Sequence, residues 1–103
     1  MGELSFCSLP DRAGLKVSGE ICLPTFPVWE RALERLVAEP LHPYHLDVAA
    51  VTFTDVAGVT ALAVTAQRLD DGQRIVLHRP PRTMSRMLEL FWPELVTIEV
   101  AAS

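Results

Sequence analysis

Apolar and polar positions alternate near the start of this chain, and the period then changes. Leu4 to Leu9 is a short apolar-rich run and reads as a strand. Pro10-Asp11-Arg12-Ala13-Gly14 carries turn chemistry. Leu15-Lys16-Val17-Ser18-Gly19-Glu20-Ile21 begins with the period-two alternation of a second strand, and the two segments read as an antiparallel hairpin. From Trp29 the period becomes helical. Trp29, Ala32, Leu33, Leu36 and Val37 recur at i, i+3, i+4, i+7 and i+8, while Glu30, Arg31, Glu34 and Arg35 fill the opposite side. Pro24-Thr25-Phe26-Pro27 opens this helix, with Thr25 as the expected cap, and Pro40 and Pro43 close it.

His45 to Phe53 is rich in β-branched and apolar residues and suits a central strand. Asp55 then caps a second helix from about Val56 to Leu69, with Val59, Leu62, Ala63, Ala66 and Leu69 on its core face. Gly58 falls in its first turn, where close packing excludes a side chain. Asp70-Asp71-Gly72 stops the helix. Arg74 to His78 is a strand, Arg82 to Phe91 a helix with an apolar stripe of Met84, Met87, Leu88 and Phe91, and Val96 to Val100 a last strand. The resulting order is β-β-α-β-α-β-α-β. It predicts an α/β fold with parallel βαβ units after the hairpin, in a mixed sheet with helices mainly on one face. The other face then needs cover from the opening segment, a partner or its own polar side chains.

Length and composition narrow the function. The 103 residues suit a single domain, 1–103, which at this size buries roughly 60–70% of its unfolded surface. Half the residues are apolar, which argues against disorder. A net charge of −4 without a basic stripe argues against nucleic-acid binding. No apolar run approaches the ~20 residues of a membrane span, and the first residues lack a signal-peptide pattern, so a cytoplasmic location is expected. Cys7 and Cys22 form no CxxC pair and read as small buried hydrophobes in a reducing compartment.

Five segments, in order and at matching spacing, resemble the STAS domains of bacterial anti-sigma factor antagonists. They are Val17-Ser18-Gly19-Glu20-Ile21, Leu46-Asp47-Val48 through Val51-Thr52-Phe53, Asp55-Val56-Ala57-Gly58-Val59, Arg74-Ile75-Val76-Leu77 and Met87-Leu88-Glu89-Leu90. The resemblance covers about Leu15 to Val100. It implies a STAS-like fold and a non-enzymatic interaction module in signalling and transcription regulation. Its implied partner is an anti-sigma factor with a kinase-like ATPase fold, or another signalling protein. In the family a Ser follows the Asp and is phosphorylated to block docking. Here Val56 stands there and has no hydroxyl, and Cys22 replaces a carboxylate common after the Gly-Glu pair.

The resemblance thus places partner contacts at Asp55, Val56, Ala57, Gly58, Thr60 and Val64, with binding not gated at position 56. Val56, Thr60, Val64 and Gln67 form a mildly apolar stripe away from the core face, suited to a protein contact. Thr54 and Thr60 are the candidates for a displaced phosphoacceptor. The alternative is a degenerate STAS domain acting as a scaffold or small-ligand sensor, with a homodimer among its forms.

Other constellations carry less. His42 and His45 form a His-x-x-His pair, but no Cys or carboxylate cluster completes a metal site. No nucleophile, base and acid converge in the pattern, so neither catalytic residues nor a cofactor are expected. Arg74, Arg79, Arg82 and Arg86 lie around the third helix, as a solvated basic edge or a contact for a partner's carboxylate or phosphate.

Overall fold

A computed structural model describes residues 2–101. Five strands form one sheet: β1 (Leu4–Ser8), β2 (Gly14–Ile21), β3 (Tyr44–Thr54), β4 (Ile75–His78) and β5 (Ile98–Val100). Their spatial order is β1-β2-β3-β4-β5; β1 runs antiparallel to β2, and the other neighbours are parallel. The helices are α1 (Phe26–Ala38), α2 (Val56–Gln67) and α3 (Arg82–Phe91), preceded by a single 3-10 turn at Leu23–Thr25. The α/β order expected from the alternation is therefore the order found.

One side of the sheet forms the core. Leu15, Val17 and Ile21 of β2, Leu46 and Val48 of β3, and Ile75 and Leu77 of β4 pack against Trp29, Leu33 and Leu36 of α1, Val59, Leu62 and Ala63 of α2, and Met84 and Leu88 of α3. All three helices thus cover the same sheet face. The intervening residues, among them Lys16, His45, Asp47 and His78, belong to the opposite face, which is covered by its own polar side chains rather than by a helix. Among the described residues, no helix is long and apolar enough to cross a membrane.

Local departures have identifiable causes. Thr25 does not cap α1 with its side chain. Its hydroxyl is committed to the preceding turn, donating to the Glu20 carbonyl at 2.7 Å and accepting from the Cys22 N–H at 3.0 Å. α2 stops at Gln67, so Leu69 lies beyond it, although it still packs on the core. The cysteines are not buried hydrophobes: Cys7 is exposed, Cys22 half-exposed, and both are free. Cys7 alternates with the core-facing Leu4 and Phe6 onto the opposite face of the edge strand β1, and Cys22 already belongs to the turn after β2.

The β2–β3 ladder contains two register shifts, between Lys16 and Ser18 and between Gly19 and Glu20. Each places an extra residue on β3, so the side-chain parity read from β3 alone fails toward its end. At Gly19, with φ +116°, a Cβ would lie 2.0 Å from the Glu3 carbonyl oxygen, so glycine is required where β1 crosses this irregularity.

Candidate functional site

The site lies where the parallel strands β2 and β3 end and α1 and α2 begin. The carboxyl ends of parallel strands are where α/β folds generally place their binding surfaces. The two strand ends are joined directly, because the Asp55 N–H donates to the Ile21 carbonyl at 3.1 Å.

Asp55 has extended backbone and its Oδ1 accepts from the Gly58 N–H at 2.8 Å, which makes it the N-cap expected from the sequence. Its negative charge at the helix N-terminus is favourable with the helix dipole. Asp55→Ala is expected to lower stability by about 1 kcal/mol. In urea denaturation the midpoint falls while the m-value stays unchanged; an unaltered midpoint would show that the cap contributes nothing.

The first turn of α2 is held from below as well. Gly58 is buried, and a Cβ on it would lie 2.5 Å from Ile21 Cγ2 and 2.8 Å from Thr54 Oγ1. The Trp29 indole N–H donates to the Gly58 carbonyl at 3.0 Å, linking α1 to the same turn. Gly58 therefore lies under the surface, not on it. It sets the backbone of the helix start and presents no side chain there.

Above this clamp the surface is apolar. Val56 is 57% exposed and Val64 44%, and Ala57 is also exposed. Thr60 is half-exposed, and its hydroxyl donates to the Val56 carbonyl at 2.8 Å. Thr54 is buried at 4% exposure and its hydroxyl donates to the Asp55 carbonyl, so an enzyme cannot reach it without opening the strand end. The two threonines proposed as displaced phosphoacceptors thus differ, and only Thr60 is accessible.

The structure adds two residues that the pattern did not single out. Leu23 is 83% exposed in the turn after β2, and Phe53 is 49% exposed near the end of β3. Leu23 follows Ile21 by two residues and Val56 follows Asp55 by one, so the Ile21–Asp55 hydrogen bond brings them to the same end of the sheet. The signal for Leu23 was present, as an apolar residue immediately before Pro24 in a turn. Phe53 carried no such signal, since the register shifts on β3 decide which way it points.

The remaining candidates separate. Arg74 pairs with Glu99 at 3.7 Å and Arg79 with Asp47 at 3.4 Å, whereas Arg82 and Arg86 line the outer side of α3 with Glu89 and Leu90. The His42 ring lies 3.0 Å from the carbonyls of Glu39 and Arg74, while His45 contacts His78 instead, so the His-x-x-His pair does not converge. Among the described residues, no three His, Cys, Asp or Glu side chains group as a metal cage.

Comparison with known proteins adds two findings. A family model described as Mlab, STAS domain, matches residues 6–92. The crystal structure of an anti-sigma factor antagonist from Mycobacterium paratuberculosis superposes with a TM-score of 0.75 and 24% sequence identity, covering 98% of this chain and 87% of that one. At that identity the likeness is one of fold. No curated protein matches the sequence.

Proposed function

The chain belongs to the STAS-domain family, and on that premise we propose that it is a protein-interaction module that docks through the start of α2. The partner would be a signalling protein, in the first instance an anti-sigma factor with a kinase-like ATPase fold. The observation that carries this reading is the pair of exposed apolar side chains on α2, Val56 and Val64, with exposed Leu23 in the adjoining turn, at a helix start held by the Asp55 cap and the Trp29 hydrogen bond. Exposed apolar groups on a pre-organised element favour a contact that loses little entropy on binding. The contact set under this proposal is Asp55, Val56, Ala57, Thr60 and Val64, extended by Leu23, with Gly58 beneath it.

Regulation differs from the family pattern in this proposal. Val56 offers no oxygen for phosphoryl transfer, so docking is not gated at that position. A phosphate there would bring a charge of about −1.5 to −2 into an apolar contact; valine keeps the contact permanently in the uncharged form. Incubation with a purified kinase-type partner and ATP is expected to leave the intact mass unchanged. One stoichiometric phosphate on Thr60 would restore a gated reading.

Val56→Glu imitates the missing charge and tests the surface. In a pull-down from the native host, wild-type protein is expected to retain a specific partner that the variant releases. With that partner purified, affinity should fall by about 2 kcal/mol, roughly thirtyfold, as for loss of a central contact. Equal retention of the partner by both proteins would remove the start of α2 from the interface.

A further inference from the structure

The sheet face away from the helices contains a feature that docking at α2 does not use. His45 Nδ1 and His78 Nε2 lie 2.8 Å apart, with ring centroids 5.0 Å apart and planes inclined at 32°. In the β3–β4 ladder His45 pairs with Val76 and Asp47 with His78, so the two imidazoles meet diagonally across the seam. At this distance the contact is a hydrogen bond, in which one nitrogen carries the proton and the other supplies the lone pair.

We propose that His45 and His78 act as a single proton-binding unit that ties β3 to β4 on the open face and is forced apart when a second proton is added. In the neutral pair one N–H lies between the rings. A first added proton goes to an outer nitrogen and makes the shared hydrogen bond charge-assisted, hence stronger. The only site left for a second proton is the lone pair inside that bond. Filling it sets two N–H groups and two positive charges face to face, and the rings must separate.

The surroundings do not offset this repulsion. Asp47 on β3 is engaged by Arg79 at 3.4 Å and by the Ala49 N–H at 3.0 Å. Glu99 on β5 is engaged by Arg74. Lys16 on β2 adds positive charge beside Asp47 in the adjacent ladder. From the β1–β2 turn, Arg12 opposes protonation of His45 and Asp11 favours it. Burial is the largest influence on His45, followed by Arg12 and then His78, and together they lower its pKa from the ordinary 6.5. Because the folded pKa is depressed, the stability contributed by His45 is present above about pH 6.5 and is lost as pH falls through the folded value.

Ring resonances of the folded chain, followed by NMR from pH 8 to pH 4.5, test the proposal. The His45 ring is expected to titrate in two steps, the mark of coupling to a neighbouring proton-binding group. In His78→Gln the His45 ring should titrate in a single step. Denaturation midpoints of wild-type protein should fall more steeply below pH 6.5 than those of His45→Asn. A single-step titration of the His45 ring in the wild type would overturn the proposal, and that measurement needs no variant.

Discussion

Trp29→Ala is expected to cost about 3–5 kcal/mol, the range for deleting a large buried aromatic. The indole has no exposed surface and heads the set of fully buried side chains. It also supplies the 3.0 Å hydrogen bond to the Gly58 carbonyl, so the substitution opens a cavity and detaches α1 from the first turn of α2 together. Against a total stability of roughly 5–15 kcal/mol, this leaves a domain close to unfolding. Trp29→Phe separates the two contributions, since it keeps most of the volume and loses the N–H donor. It should cost clearly less than Trp29→Ala while loosening the start of α2, seen as faster amide exchange near Gly58. A Trp29→Ala midpoint within about 1 kcal/mol of wild type would mean that the indole is not the anchor described.

Gly58→Ala is the second large effect, and its sign depends on two opposed terms. Replacing glycine by alanine in a helix stabilises by about 1 kcal/mol in the absence of contacts. Here the new Cβ would lie 2.5 Å from Ile21 Cγ2 and 2.8 Å from Thr54 Oγ1. Ile21 is fully buried and Thr54 nearly so; both belong to strand ends tied together through Asp55, so neither moves freely. Overpacking of this kind costs about 1–3 kcal/mol, occasionally more. The net result is expected to be destabilisation, with Val56 and Ala57 displaced and partner affinity reduced. Pairing the substitution with Ile21→Ala removes the nearest clash, so the two changes should be less than additive in a double-mutant cycle. Strict additivity, or a stabilised Gly58→Ala, would show that the turn has space to relax.

Much of the fold is legible because its signals are local. The stripe of Trp29, Ala32, Leu33 and Leu36 follows from helical spacing, and the Asp55 cap from a short carboxylate before an apolar helix. The strand ends are less legible, since backbone pairing with a neighbour decides them. β4 begins at Ile75 instead of Arg74, and β5 at Ile98 instead of Val96, because the ladder between them runs only over Ile75–Leu77 and Ile98–Val100. Cys7 and Cys22 are accessible where their sequence surroundings suggest burial, because an apolar neighbourhood in sequence does not specify which face of a strand, or which turn, a residue occupies.

The sequence by itself determined the element order, the core stripes, the helix cap at Asp55 and the absence of a hydroxyl at position 56. These rest on residue type and short spacing, which survive without knowledge of neighbours. Only the tertiary structure decided that Gly58 lies beneath the exposed first turn of α2, that Thr54 is sealed, that Leu23 and Phe53 are exposed near the strand ends, and that His45 meets His78. Each depends on strand register and on contacts between segments distant in sequence. A register shift of one residue exchanges the two faces of a strand, and nothing in its local composition records which side is taken.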